Sequence, residues 1–266
     1  MTIVFARTRH VYDSYWHFWR LVELSGYETC YLDEADLDDA SKCYVTTPLN
    51  GEITAWQRPR AAQTVWWCLE QYDPAGGGVP LSDRLDSIVG PAGPFDRIWG
   101  SDEFFCAKDR RIEFVRLGSQ RALNPFTLAY ERESTKYDAT PLAYLWGRRA
   151  ELVEQLLRFG VRLGPMCYEE PARSEMLSSS RWLLNLQQYP EPFIAPLRPA
   201  IAAAYGCALA SEPLGVPYPH VAEEGNMARL ATLLREGGNL PRHLAQNLHQ
   251  FLCIDNTFRS FVDARV

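Results

Sequence analysis

Residues 187–212, QQYPEPFIAPLRPAIAAAYGCALASE, constrain the fold of this chain more than any other stretch. They follow an apolar run, Trp182-Leu183-Leu184-Asn185-Leu186, and begin with the polar residues Gln187, Gln188 and Tyr189. A proline-punctuated loop leads to a helix of small residues that opens near Pro199 and stops at Gly206. A second apolar run, Cys207 to Ala210, closes on Ser211 and Glu212. The order is strand, polar loop, helix, strand. In an open α/β sheet, ligands sit beyond the carboxyl ends of the strands. Both polar clusters fall at such ends, with Arg198 at the mouth of the helix, so a phosphate-bearing ligand is expected here.

The rest of the chain repeats this alternation. Apolar runs at Thr2–Ala6, Tyr27–Leu32, Cys43–Val45, Thr64–Leu69, Arg97–Gly100 and Ile112–Leu117 read as six strands. A helix capped by Asp13 or Ser14 runs to Leu24 and stops at Gly26. The polar strand ends Arg7, Arg9, Thr46, Thr47, Glu70, Ser101 and Asp102 would line one edge. Residues 124–138 read as a connection, and Pro141–Trp146 as a strand that ends at Gly147. Arg148 and Arg149 open an amphipathic helix whose buried face is Leu152, Val153, Leu156, Leu157 and Phe159, with Gly160 as its stop. Val161–Leu163 is a further strand, and Glu169–Ser179 a loop and helix. Helices at about 226–236, 242–251 and 256–264 finish the chain. Strands alternating with helical crossovers imply parallel sheets. A chain of 266 residues has room for one large α/β domain or two small ones.

Composition excludes several classes. Hydrophobic residues make up 47% and charged residues 23%, which suits a globular protein with a sizeable core. A net charge of -6 argues against a uniformly basic nucleic-acid-binding surface, though not against a local basic patch. The cysteines (Cys30, Cys43, Cys68, Cys106, Cys167, Cys207, Cys253) form no CxxC pair, and the five histidines do not cluster with them. Reduced thiols, no metal site and no cofactor are expected. No apolar run approaches the ~20 residues of a membrane span. The chain runs straight into a strand rather than a leader peptide, so a cytoplasmic location without membrane contact is expected.

Strand, Gly147, then two arginines at a helix start is a phosphate-friendly arrangement, because helix N-termini offer N–H groups and arginine adds bidentate charge. The simpler reading is that the two arginines merely solvate a helix end. The segment YDATPLAYLWGRRAELVEQLLRFGVRL resembles the opening of the C-terminal domain of GT-B glycosyltransferases. SSSRWLLNLQQ followed by LRPAIAAAYGCALASE is similar to the donor-binding half of their group-1-like families, whose pattern runs R-x-F-E-A-x-A-x-G. Arg198, Ala202, Ala204 and Gly206 match that pattern, and Ile201 departs from it where the family keeps an acid that contacts the donor ribose. PFDRIWGSDEF and FVRLGS resemble strands that precede the interdomain connection. The resemblance spans about residues 95–235; the residues before it match no named family.

The resemblance implies two compact Rossmann-like domains with parallel sheets facing a central cleft. Residues 1–130 would form the acceptor side, 131–240 the nucleotide-sugar domain, and 241–266 helices packing back across both. It implies a metal-independent hexosyl- or pentosyltransferase whose donor is a nucleotide sugar. Gly147, Arg148, Arg149, Gln187, Tyr189, Arg198 and Glu212 would bind that donor, with the arginines neutralising the diphosphate leaving group. His10 and Asp13, backed by Glu70 and Asp102, would supply a base if the reaction inverts. Arg7, Arg9, Thr46 and Arg58 would meet the acceptor. The concentration of Arg7, Arg9, His10, Arg58, Arg60, Lys108, Arg110 and Arg111, some beside Tyr12, Tyr15, Trp16 and Trp56, reads most simply as a solvated surface; the sharper reading is a phosphate-bearing acceptor, such as DNA with a hydroxylated base. The alternatives are a catalytically inactive GT-B-like protein that binds nucleotide or glycan, and a single-domain α/β enzyme of other chemistry.

Overall fold

The computed structural model of the chain describes residues 1–9, 15–47, 61–69, 85–86, 88–89, 93–165, 169–189, 192–253 and 257–265. The chain groups into two compact units, Met1–Leu117 with Arg259–Val266, and Gly118–Phe258. The division falls after Leu117, earlier than the 130/131 boundary read from the sequence, and the last residues belong to the first unit.

In the first unit, strands β1 (Thr2–Arg7), β2 (Glu28–Tyr31), β3 (Lys42–Thr46), β4 (Gln63–Cys68), β5 (Arg97–Gly100) and β6 (Ile112–Phe114) form one sheet in the order β2-β1-β3-β4-β5-β6. Every neighbouring pair is parallel. Parallel strands covered on both faces read as continuous apolar runs rather than alternating ones. Accordingly Phe5, Tyr44, Val45, Trp67 and Trp99 are all buried. Helix α1 (Trp16–Leu24) lays Phe18 edge-on against Trp67, which in turn meets Trp99. The chain runs outward from β1 to β2, then returns to place β3 on the other side of β1. That reversal sets the switch point of this sheet between β1 and β3. A one-turn helix, α2 (Glu103–Cys106), follows β5.

The second unit holds β7 (Tyr137–Thr140), helices α3 (Arg148–Arg158) and α4 (Ala172–Ser178), β8 (Ser180–Asn185), α5 (Leu197–Tyr205), β9 (Ala208–Ser211), β10 (Val221–Glu223), α6 (Met227–Glu236) and α7 (Leu240–Cys253). Helix α8 (Thr257–Asp263) ends the chain. The second sheet runs β10-β9-β8-β7, again all parallel. The parallel α/β architecture expected from the sequence is therefore what both units adopt.

Two strands differ from expectation. Residues 141–146 do not form one: the ladder lies earlier, at Tyr137–Thr140. Pro141 has no N–H to donate, and Leu142 adopts a φ of 34° that a strand does not tolerate. Residues 161–163 contribute a single parallel bridge, Leu163 to Ala139. That bridge is stitched by Asp138, whose carboxylate accepts from the Arg162 backbone N–H at 2.9 Å and from its guanidinium at 2.6 Å.

The core of this unit gathers Trp182, Leu184 and Leu186 of the β8 segment with Leu156 of α3, Leu234 of α6 and Ala245 of α7. From Arg198 to Tyr205 every residue of α5 is buried, which is why the run is built of alanines. The helix ends at Gly206, φ 72°, where a Cβ would lie 2.8 Å from that of Leu128. Only glycine meets both demands there. Among the described residues no helix is long and apolar enough to cross a membrane.

Candidate functional site

The carboxyl edge of the second sheet collects most of the donor residues named from the sequence. From β7 the chain passes through α3 to the Leu163 bridge on one side of β7, then through α4 to β8 on the other side. This change of direction puts the switch point between β7 and β8, where an open parallel sheet binds its ligands. The edge is made by the loop 141–147 with the start of α3, by residues 185–189 after β8, by Ser211 to Pro213 after β9, and by the start of α5.

Asn185, the last residue of β8, organises this edge, although the sequence reading took it only as part of an apolar run. It is fully buried. Its amide nitrogen donates to the Phe193 carbonyl and to Ser211 Oγ, both at 2.8 Å. Its amide oxygen accepts from the Ala195 N–H at 3.2 Å and from Arg198 Nη1 at 2.6 Å. One side chain thus ties the loop after β8, strand β9 and the mouth of α5 together. Arg198 is itself buried. It stands where the sequence placed it, but part of its work is to hold Asn185.

Arg148 and Glu212 form the second fixture. The Arg148 guanidinium donates to both Glu212 carboxylate oxygens, one at 2.9 Å, and to the Gln187 carbonyl at 2.8 Å. The Gln187 N–H donates to Glu212 at 2.8 Å, and the Gln187 side chain donates to the Pro213 carbonyl at 2.9 Å. Hydrogen bonding to Glu212 raises the Arg148 pKa above its ordinary value. Arg148, Gln187 and Glu212 were all expected to touch donor. The structure joins them to one another as a clamp across the ends of β8 and β9.

The residues placed at the switch point outside that clamp are Gly147, Arg149 and Gln188. Gly147 caps α3 with a φ of 52°, and no side chain caps that helix. A Cβ on Gly147 would lie 3.5 Å from Gln188 Nε2. Gln188 Oε1 is buried without a hydrogen-bond partner. A buried acceptor in that condition is uncommon in a folded protein. Arg149 Nε donates to the Leu186 carbonyl at 2.9 Å, which fixes its stem beside the helix start. Tyr189 is half-buried nearby in sequence, whereas Tyr144 and Trp146 in the loop before Gly147 are more than half exposed. The sequence reading placed Gln188 in the polar cluster after β8 without giving it a role, and missed Asn185, Tyr144 and Trp146. Nothing local marked the two aromatics, which read in sequence as part of the apolar run Pro141–Trp146.

Ile201, at the position of the resembling family's acid, is buried in the middle of α5. It packs as core, so any contact with a ribose must come from elsewhere.

The sites expected in the first unit are less complete. His10, Asp13, Arg58 and Glu70 lie outside the described residues. Arg7 and Thr46 end β1 and β3, the strands that flank the first sheet's switch point. Thr46 is buried, and the adjacent Thr47 Oγ1 is buried with no hydrogen-bond partner. Arg7 and Arg9 both lie over the Tyr31 ring, their guanidinium carbons 5.3 and 4.5 Å from its centre. Arg9 donates to Asp33 and Glu34, each at 2.9 Å. These ion pairs lie at the surface, with more than half of the Arg9 side chain exposed. Asp102 is buried, and its carboxylate accepts from the Phe105 N–H at 2.6 Å as the cap of α2. Capping accounts for this aspartate without a role as a base.

No family model and no curated protein matches the chain. Two solved structures are similar over nearly the whole length. The spinosyn forosaminyltransferase SpnP is 11% identical with a TM-score of 0.44, over 95% of this chain and 94% of that one. AviGT4, a glycosyltransferase involved in avilamycin A biosynthesis, is 11% identical with a TM-score of 0.48, over 99% of this chain and 96% of that one.

Proposed function

We propose that this chain is a glycosyltransferase that seats a nucleotide sugar at the carboxyl edge of the second sheet. The observation that carries the reading is the uncapped, glycine-headed start of α3 beside Arg149 and the unpartnered Gln188 Oε1, all at the switch point. The N–H groups at that helix start and the Arg149 charge suit a diphosphate. Trp146, exposed one residue before Gly147, suits stacking on a nucleobase. The first unit, with the β1/β3 switch point and the unpartnered Thr47 hydroxyl, is assigned to the acceptor.

In the reaction, an acceptor hydroxyl oxygen forms a bond to the anomeric carbon as the bond from that carbon to the diphosphate oxygen breaks. The hydroxyl proton passes to a base, and the nucleoside diphosphate leaves with the bonding pair. Charge grows on the leaving oxygen, so donors already aimed at it lower the barrier without reorganising. Asp102 is occupied as a cap, so His10, Asp13 and Glu70 carry the assignment as base.

Calorimetric titration with UDP, GDP, ADP and TDP and their sugars tests the donor site. One of these is expected to bind, and Arg149→Ala to weaken it about tenfold while the melting temperature moves little. Arg198→Ala should weaken binding and also cost about 1–2 kcal/mol of stability, because it strips Asn185 of a charged donor. No binding by any nucleotide would sink the reading. The Ile201 departure keeps one alternative in view, a catalytically inactive nucleotide- or glycan-binding protein. Binding without donor turnover over a broad acceptor set would select it.

The acceptor is assigned as a neutral hydroxyl compound rather than DNA. Of the basic residues expected to meet an anionic acceptor, Arg9 and Arg111 are each paired with a carboxylate, as are Arg97 and Arg116 of the same unit. Fluorescence anisotropy with a short DNA duplex at physiological salt should show no binding tighter than about 100 µM, the weak end of non-specific affinity. Tighter binding with a steep salt dependence would restore the DNA acceptor.

A further inference from the structure

The second unit carries another cavity, of about 410 Å³, that the proposed reaction does not use. It lies at the amino ends of the strands. Its walls come from residues 129–135 ahead of β7, from Arg181 near the start of β8, from Gly206 just before β9, and from the turn between α6 and α7. Gly147, Arg149 and Gln188 lie at the carboxyl ends, the opposite edge of the same sheet.

The lining is strongly basic. Arg132, Arg181, Arg235 and Arg242 contribute four guanidinium groups, against two carboxylates, Glu133 and Glu236, both exposed. Arg181 Nη1 donates to the Arg235 carbonyl at 3.2 Å, and Arg235 Nη1 to the Phe159 carbonyl at 3.1 Å. The carbonyl leaves the Arg181 charge unmatched, while Arg235 Nη2 also lies 3.9 Å from the Glu236 carboxylate, an exposed pair that solvent screens. Two further donors in the wall, Arg132 Nε and Thr135 Oγ1, are buried without a hydrogen-bond partner. Native structures rarely leave such atoms unmatched, so each needs an acceptor. The fourteen-residue helix α7 begins at this cavity with Asn239, Pro241 and Arg242, adding the positive end of its dipole.

We propose that this cavity is a second binding site, for a small molecule bearing phosphate groups. Four guanidinium groups, two unmet donors and a helix N-terminus together match a multiply charged phosphate, which accepts several hydrogen bonds at once. The volume falls in the range of small-molecule pockets, about 300–1,000 Å³, and exceeds what a lone phosphate fills.

Pyrophosphate is the probe, titrated against the whole chain by calorimetry and by thermal melting, with sodium chloride at matched ionic strength as control. The titration is run in the Arg149→Ala background, where binding at the carboxyl edge is weakened about tenfold, and the Arg132 and Arg242 substitutions assign what remains to this cavity. Pyrophosphate should bind and raise the melting temperature in that background. Arg132→Gln with Arg242→Gln should weaken it about tenfold or more. Arg242 is exposed, so Arg242→Gln alone keeps the test available if the double variant does not fold, with about a threefold loss expected. No response beyond that of sodium chloride would overturn the proposal, as would affinity unchanged in Arg242→Gln and the double variant. Neither result bears on nucleotide binding at the opposite edge, which the Arg149→Ala comparison measures separately.

Discussion

Alanine at position 118 should cost the protein about 3 kcal/mol or more, beyond the usual range for overpacking. A Cβ on Gly118 would lie 2.3 Å from the Phe258 nitrogen, 2.4 Å from the Thr257 carbonyl carbon and 2.7 Å from the Phe258 Cα. These are backbone atoms, so no side chain can swing aside. Neither segment can retreat easily. The Ser119 N–H donates to the Leu252 carbonyl at 3.0 Å and to Thr257 Oγ1 at 3.1 Å, and Ser119 Oγ donates to the Ala200 carbonyl at 2.7 Å. Phe258 is fully buried. Gly118 opens the second unit and Phe258 closes it, so the clash falls where the unit's first and last residues touch. Gly160→Ala is the matched control. Gly160 has a φ of 77°, and a Cβ there would meet nothing within 4 Å, so it isolates the cost of a left-handed conformation, about 1 kcal/mol. Urea denaturation of both variants separates the effects. A loss below about 1 kcal/mol at Gly118 would mean that the contact relaxes, contrary to the close-packing argument.

The parallel sheets were legible because their strands are short apolar runs bounded by turn residues, and burial on both faces leaves no other use for such runs. The same rule misread Pro141–Trp146, where the apolar residues belong to a loop and two of its aromatics are exposed. β10 was not legible at all: three residues, Val221 to Glu223, pair with β9 through register rather than through any pattern of their own. The site shows the same split. Gly147, Arg148, Arg149, Gln187, Arg198 and Glu212 were recognisable as residues at one sheet edge, because strand ends and helix starts can be read locally. Which of them face a ligand was not. That depends on the register Asn185 to Ser211 across β8 and β9, which brings Glu212 beside Gln187 and closes the clamp on Arg148. Asp102 could have been recognised as a cap, since an aspartate ahead of a short apolar turn is a common helix start.

Glu212→Gln decides whether Arg148 holds the site together or holds the ligand. Breaking a buried ion pair costs about 3–5 kcal/mol when the stranded charge cannot reach water. Glu212 is buried, but a third of the Arg148 side chain is exposed and can be rehydrated, so about 2 kcal/mol is expected here. The substitution also puts an amide nitrogen where Arg148 or the Gln187 N–H now finds an acceptor. The turn at Gln187 and Gln188 should loosen, and nucleotide-diphosphate binding should fall about tenfold through that turn rather than through lost charge. Arg148→Met completes the cycle. It removes the cation and strands the carboxylate, so alone it should also destabilise. The double variant replaces the pair by groups of similar volume and should recover much of the loss, as buried pairs replaced together often do. A coupling energy below about 0.5 kcal/mol would mean the two residues do not act as a pair. Binding then separates the two roles. If Arg148 acts only through Glu212, the double variant should regain affinity to within about threefold of the original, since the turn is restored. If its guanidinium meets the diphosphate, affinity stays low in every variant that lacks it, even one whose stability has returned.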